Sequence, residues 1–138
     1  MSIQFVLLPV FVLVGLTFAL LLGMVATRGY GKGGQTVPRD SAGKANWTGR
    51  AAQYGDCFNN QFQVPVLFYV LIALALPLRH ADLVIVLLSW VFVVTRFAHA
   101  GIFVSSNNIP QRGKAWFAGV LVLFAMWIYF ALRILLVI

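Results

Sequence analysis

The sequence predicts an all-α membrane protein: a four-transmembrane-helix bundle with both termini on the same, outer side. Three observations carry that expectation. Hydrophobic residues make up 62% of the 138 residues and charged residues only 9%, against roughly a quarter charged in an average soluble domain. Three apolar runs are each long enough for a hydrocarbon core about 30 Å thick, which needs roughly 20 residues. The basic residues gather in the connectors between these runs. A soluble fold of this size cannot hide so much apolar side chain, because a small domain keeps a large surface for its volume. The mean hydropathy of +0.93 makes the same point, and the length allows a single domain, residues 1–138.

The first span is expected over residues 3–26. No Lys or Arg precedes it, so it lacks the charged region of a cleavable signal peptide and reads as a retained helix. The second is expected over 54–78. Its clean apolar part, Val64–Leu78, would reach only about 22 Å at 1.5 Å per residue. It crosses only if the polar stretch from about Gln53 enters the membrane as helix, which puts Asp56, Asn59, Asn60 and Gln63 at or inside the boundary. A tight Arg79-His80-Ala81-Asp82 hairpin leads into the third span, 83–104, and Ser105–Ala115 leads into the fourth, 116–138. The first connector holds Arg28, Lys32, Arg39, Lys44 and Arg50 against Asp40, and the third holds Arg112 and Lys114. These two connectors share one side, and the Lys/Arg-rich side is expected to be cytoplasmic. Both termini then face outward, with Arg133 near the outer end of the last span, where it can snorkel to the interface.

Several other readings fall away. A net charge of +7 and an isoelectric point near 10.4 are compatible with nucleic-acid binding. Single-strand binders, however, interleave basic residues with exposed aromatics, and here most aromatics sit inside the apolar runs. Gly29-Tyr30-Gly31-Lys32-Gly33-Gly34 fits G-x-G-x-x-G, but a dinucleotide site needs a strand before it and a helix after. A membrane span precedes this one and Val37-Pro38 follows, so it reads as a flexible loop. Asn46-Trp47-Thr48 is a formal glycosylation sequon on the expected cytoplasmic side. Cys57, a single cysteine, excludes an internal disulfide. Two histidines near opposite faces and one cysteine make no metal-ligand set.

Ionisable groups at membrane depth are costly and usually face the bundle interior. On the second span, Gln53, Asp56, Asn60 and Gln63 fall at steps of three, four and three, which puts them on one helix face bordered by Asn59. Pro65 lacks an N–H for the Gln61 carbonyl and is expected to kink the helix. Arg96 and His99 lie one turn apart on the antiparallel third span, at the depth of Gln63 and Asn60 and of Asp56 respectively. Arginine keeps its charge in a protein, and Asp56 is the acidic residue at that depth, so an Asp56–Arg96 pair is expected. These residues make either a closed structural network that glues the helices or a ligand site.

The block from Asp56 through Gln63 into Val64-Pro65-Val66-Leu67-Phe68-Tyr69 resembles the second helix of the MAPEG superfamily, the membrane-associated proteins of eicosanoid and glutathione metabolism, in its bacterial version. Arg96-Phe97-Ala98-His99 is similar to the family's Arg-x-x-His on the third helix, and Arg112 falls where the family places an arginine at the start of the fourth. The resemblance covers nearly the whole chain. It implies a four-helix protomer in a homotrimer of a bacterial inner membrane, with glutathione as co-substrate between neighbouring protomers. By position, Arg112 matches the arginine that stabilises the thiolate and Arg28 a basic residue at the end of the first helix, the two expected catalytic residues. Gln53, Asp56, Asn60, Gln63, Arg96 and His99 form the expected glutathione-binding set. The chain departs from the pattern in carrying Gln63 for a glutamate, Asp56 for an arginine, Gly113 for a serine and Phe103 for a tyrosine. Two functions follow as expectations: a glutathione-dependent transferase acting on lipophilic electrophiles, or a non-catalytic membrane scaffold, lipid-binding protein or accessory subunit of a larger membrane complex.

Overall fold

A computed structural model of the chain describes residues 2–28, 41–42 and 47–136. Among these residues five helices follow one another: α1 (Ile3–Arg28), α2 (Gly49–Asn60), α3 (Val64–Ala75), α4 (Leu83–Val104) and α5 (Ile109–Leu136). α2 and α3 together make one crossing, so four segments are long and apolar enough to span a membrane: 3–28, 49–75, 83–104 and 109–136. The glycine-rich segment 29–34 and Lys32, Arg39, Asp40, Lys44 and Asn46 lie outside the described residues, as do Val137 and Ile138 at the end of the expected fourth span.

Two spans begin earlier than the apolar runs do. α2 starts at Gly49, behind Thr48 in extended geometry, rather than near residue 54. α5 starts at Ile109 rather than Trp116, because Asn108 caps it: the Asn108 side-chain oxygen accepts from the Gln111 N–H at 3.2 Å. Pro110 sits in that first turn, where its missing N–H costs nothing. Hydropathy marks where lipid begins, whereas a cap marks where the helix begins, and here the two differ by turns of polar helix.

The expected kink at Pro65 is a full interruption. The last turn of α2 tightens, with Gln61, Phe62 and Gln63 N–H groups reaching back three residues to Phe58, Asn59 and Asn60 at 3.0, 3.1 and 3.2 Å. Gln63 then leaves helical geometry at φ −98° and ψ −109°, and α3 restarts with Pro65 in its first turn. The crossing is thereby divided into a polar half and an apolar half. At its far end a Schellman closure carries the turn to Leu78: the His80 N–H reaches Ala75 O at 3.0 Å and the Arg79 N–H reaches Leu76 O at 3.2 Å. Arg79 takes the left-handed φ of 60° that this closure demands.

Asp82 then organises this hairpin end. One carboxylate oxygen caps α4 by accepting the Ile85 N–H at 3.1 Å. The other accepts from the Tyr129 hydroxyl and from Arg133 Nη1, and Arg133 also donates to the Tyr129 oxygen at 2.9 Å. Arg133 therefore does not merely reach for the interface; it ties the end of α5 to the α3–α4 hairpin. At the opposite, connector end, Arg50 donates to the Val104 carbonyl at 3.3 Å and joins the start of α2 to the end of α4.

Between these ends lies a core of Leu13, Phe68, Leu71, Ile85, Phe92, Leu123 and Met126, drawn from α1, α3, α4 and α5. Large apolar side chains such as Phe11, Leu22, Val94, Phe124 and Leu135 point outward on the same helices. Such an outside matches lipid, which offers those side chains no reason to turn inward. α4 packs most extensively on α5, and Gly119 makes that contact close: a Cβ there would stand 2.5 Å from Arg96 Nη2 and 2.9 Å from Thr95 Oγ1.

Gly119→Ala should therefore destabilise the bundle by about 1–3 kcal/mol, the range for overpacking a filled site. Gly101→Ala, where nothing lies within 4 Å, should be neutral or stabilise by about 0.5–1 kcal/mol through helix propensity. Thermal unfolding of the two variants in one detergent makes the comparison, and equal losses would refute the close-packing account.

Candidate functional site

The polar half of the second crossing, the connector end of α4 and the first turns of α5 enclose a cavity of about 510 Å³. Asp56 and Asn60 of α2, Gln63 from the break before α3, His99 of α4 and Arg112 of α5 line it, five of the eight residues expected from the sequence. The helical spacing of the α2 residues brings them there, and the interruption at residues 61–63 leaves Gln63 exposed at its edge. Asn59, Phe103, Gly113 and Trp116 complete the lining.

Arg112 is held by two contacts. Its Nη1 donates to the Asn107 side-chain oxygen at 2.7 Å, and its guanidinium lies 4.3 Å over the Phe103 ring. Phe103 in turn meets the His99 ring edge-on, with centroids 5.5 Å apart. Asn107 sits at φ 50° in the α4–α5 turn, a conformation that asparagine tolerates better than most residues. The turn thus aims an amide at the arginine and fixes the cation at the cavity wall. His99 is buried at 2% exposure, and its Nδ1 has no partner; the Asn60 Oδ1 is likewise buried and unpartnered. Buried polar atoms are normally paired, and these two, like Gln61 Oε1 and Arg96 Nε and Nη1 nearby, are not. The donor set fits a zwitterionic peptide such as glutathione: a guanidinium for an anionic group, a carboxylate for an ammonium, and amides for peptide groups.

Three expected residues lie elsewhere in the protomer. Gln53 is half-buried on α2 and does not line the cavity. Arg28 lies against Gly55, where any Cβ would strike its guanidinium, and 4.6 Å over the Trp47 ring. Arg96 stands behind the wall, fully buried. The expected Asp56–Arg96 pair is not formed. Arg96 Nη2 donates instead to the carbonyls of Ala115 and Trp116 at 3.3 Å each, its guanidinium lies 5.5 Å from the Phe92 ring, and Asp56 is exposed at the cavity. The first turns of α5 supply carbonyls closer to Arg96 than any carboxylate, and depth matching along helices cannot reveal that. The ion pair among the described residues is Arg133–Asp82, at the other end of the bundle.

Gln63 is followed by Val64, and Trp116 stands one turn before Val120. A separate apolar groove of about 430 Å³ lies between α3 and α5, lined by Val64, Leu67, Val120, Leu123, Phe124 and Trp127. Trp127 bridges its walls by donating to the Leu67 carbonyl at 3.2 Å. The polar cavity and the dry groove are thus lined by neighbouring positions of the same helices. Of the residues that sequence reasoning left outside the site, Trp116 and Asn107 were hidden because α5 begins with polar turns ahead of its apolar run; an Asn-Asn-x-Pro segment is the turn-and-cap signal for that earlier start.

The model of the MAPEG family matches residues 6–132, nearly the whole chain. No curated protein and no solved structure gives a match.

Because Arg96 is satisfied by carbonyls, its contribution should not depend on Asp56. Arg96→Gln should cost about 1–3 kcal/mol by leaving buried polar groups unpaired, and Asp56→Asn less than about 0.5 kcal/mol, as for an exposed change. The double variant should lose their sum within about 0.5 kcal/mol. Unfolding in detergent reads all three, and a double variant much more stable than that sum would restore the pair.

Proposed function

This chain belongs to the MAPEG family, and we propose that it is a glutathione-transferase-like enzyme acting on lipophilic electrophiles at the membrane. The observation that carries the reading is a polar cavity bearing Arg112 whose lining ends at Gln63, with an apolar groove whose lining begins at Val64. In this reading glutathione lies in the cavity with its sulfur beside Arg112. A guanidinium next to a thiol favours the thiolate, and the displaced proton passes to water at the membrane face. The lipophilic acceptor enters along the groove. The thiolate sulfur attacks its electrophilic carbon, a C–S bond forms, and the leaving group departs with its electron pair. Little more than an activated nucleophile and an oriented acceptor is required. Arg28 and Gln53, which lie away from their own protomer's cavity, would serve a neighbouring one in a homotrimer. The scaffold reading draws its support from Arg112 itself, whose guanidinium is already engaged by Asn107 and Phe103.

We also place the basic connectors in the cytoplasm and both termini outside, in a bacterial inner membrane, because Lys/Arg-rich connectors stay on the cytoplasmic side. Single-cysteine labelling at Ser41 and Ser2 in a Cys57→Ala background should show an impermeant reagent reaching Ser2→Cys in intact cells and not Ser41→Cys. The reverse pattern would invert the topology.

For the enzyme reading, adding glutathione to the purified protein should raise ultraviolet thiolate absorbance near neutral pH in proportion to protein. A fall of one unit in the thiol pKa corresponds to about 1.4 kcal/mol of preferential stabilisation. Arg112→Leu should abolish the signal, and conjugation of an aromatic halide should fall with it. Absence of both thiolate signal and glutathione binding at millimolar concentration would leave the scaffold reading in its place.

A further inference from the structure

Asn107 stands just ahead of the capping Asn108, at φ 50° in the α4–α5 turn. Three local features of that position favour an aspartate. Asparagine and aspartate both tolerate a left-handed backbone. A negative charge ahead of α5 would interact favourably with the positive end of the helix. A carboxylate in place of the amide would also turn the 2.7 Å contact with Arg112 Nη1 into an ion pair. Local stability therefore points to aspartate, and the chain carries asparagine. The same neutrality runs through this end of the bundle. The second contact of Arg112 is the Phe103 ring, and Arg96 is met by two carbonyls and the Phe92 ring. The ion pair among the described residues lies at the opposite end, between Arg133 and Asp82.

We propose that Asn107 is a positioning residue that anchors Arg112 without neutralising it, so that the whole guanidinium charge is left for an anionic sulfur in the cavity. The inference rests on the thiol-using reading above. It goes beyond that reading by making the uncharged anchor, and not the arginine alone, the control on how strongly a thiolate is stabilised. The chain forgoes local stability at residue 107 for a stronger field, a trade that functional positions commonly make. The titratable and charged groups around Arg112 are Asp56 and Cys57 from α2, Arg96 and His99 from α4, and Lys114 two residues on along α5. Asp56, the acid of that set, is exposed, where water screens it. A carboxylate at residue 107 would instead sit in direct contact with the guanidinium and cancel its charge at the source.

The test compares the unaltered full-length protein in detergent with Asn107→Asp and Asn107→Gly. Its probes are glutathione, glutathione sulfonate, whose sulfur group is permanently anionic, and S-methylglutathione, whose sulfur is neutral. Isothermal titration reads the preference for the sulfonate over the S-methyl form, and ultraviolet absorbance against pH reads the ionisation midpoint of the bound thiol. The unaltered protein should prefer the sulfonate and lower the thiol midpoint. Asn107→Asp should keep or raise the melting temperature, cut the sulfonate preference about ten-fold and raise the thiol midpoint by about one unit, which is the same factor. A higher midpoint means less thiolate near neutral pH. Stability and anion binding then move in opposite senses, whereas a merely structural contact would improve both or neither. Asn107→Gly retains the left-handed turn and removes the anchor, so its sulfonate preference should fall as well. An Asn107→Asp protein with the preference and midpoint of the unaltered one overturns the inference and leaves the thiol reading standing. An Asn107→Gly protein that keeps both does the same, and it serves alone if Asn107→Asp does not fold. An unaltered protein that binds neither glutathione nor the sulfonate removes the thiol reading, and the inference with it.

Discussion

A guanidinium that cannot shed its charge and cannot reach water sets the terms for the connector end of this bundle. Arg96 is fully buried, and its charge has to be met by whatever the neighbouring helices can offer. What they offer is backbone: the carbonyls of Ala115 and Trp116 in the early turns of α5. That arrangement works only because Gly119 lets α5 come close enough, and because α5 has already begun at Ile109 when it passes Arg96. Arg96 Nε and Nη1 remain without partners, so the charge is incompletely met and the α4–α5 contact carries polar strain. The same two carbonyls follow Arg112 by about one turn. The constraint that buries Arg96 therefore also fixes the stretch of α5 that presents Arg112 to the cavity.

The interruption at residues 61–63 is the complementary device on the other wall. A continuous helix would have carried the polar stripe straight toward the bilayer centre, where unpaired amides are expensive. Ending α2 after Asn60 and restarting at Val64 confines Asp56, Asn59, Asn60 and Gln63 to the connector half and hands the hydrocarbon core to an apolar helix. The lining of the polar cavity ends at Gln63 and that of the dry groove begins at Val64 because a single crossing changes character at one turn. The two ends of the bundle differ in the same spirit. The hairpin end is closed by Asp82, which caps α4 and binds Tyr129 and Arg133, whereas the connector end keeps its acid, Asp56, free of any described partner.

The sequence by itself determined that four helices are long and apolar enough to cross a membrane and that the second crossing opens with a polar stripe. Composition and length permit no other solution, and helical spacing of three and four residues is a local property that survives any packing. The family resemblance, carried by the run from Asp56 to Tyr69 with Arg96-x-x-His99 and Arg112, is equally local in origin, and the family match bears it out. Five of the expected site residues meet in one cavity: Asp56 and Asn60 share a face of α2, Gln63 follows in the break, and His99 and Arg112 come from α4 and α5.

Only the tertiary structure decided which charges are paired. Matched depth made Asp56 the natural partner of Arg96, but partnership depends on rotation about the helix axes and on the distance between helices, neither of which a one-dimensional pattern contains. Gly119, an unremarkable glycine in an apolar run, sets that distance. The start of α5 was hidden as well, because a capping asparagine and a proline extend a helix beyond the lipid boundary that hydropathy detects. Arg28 was expected from its position along the chain and Gln53 from helical spacing, and neither says which wall a long side chain covers; the close approach to Gly55 and the Trp47 ring settles it for Arg28. Backbone carbonyls, glycine contacts and helix rotation are three-dimensional partners with no signature in residue type, and the geometry around this cavity is built from them.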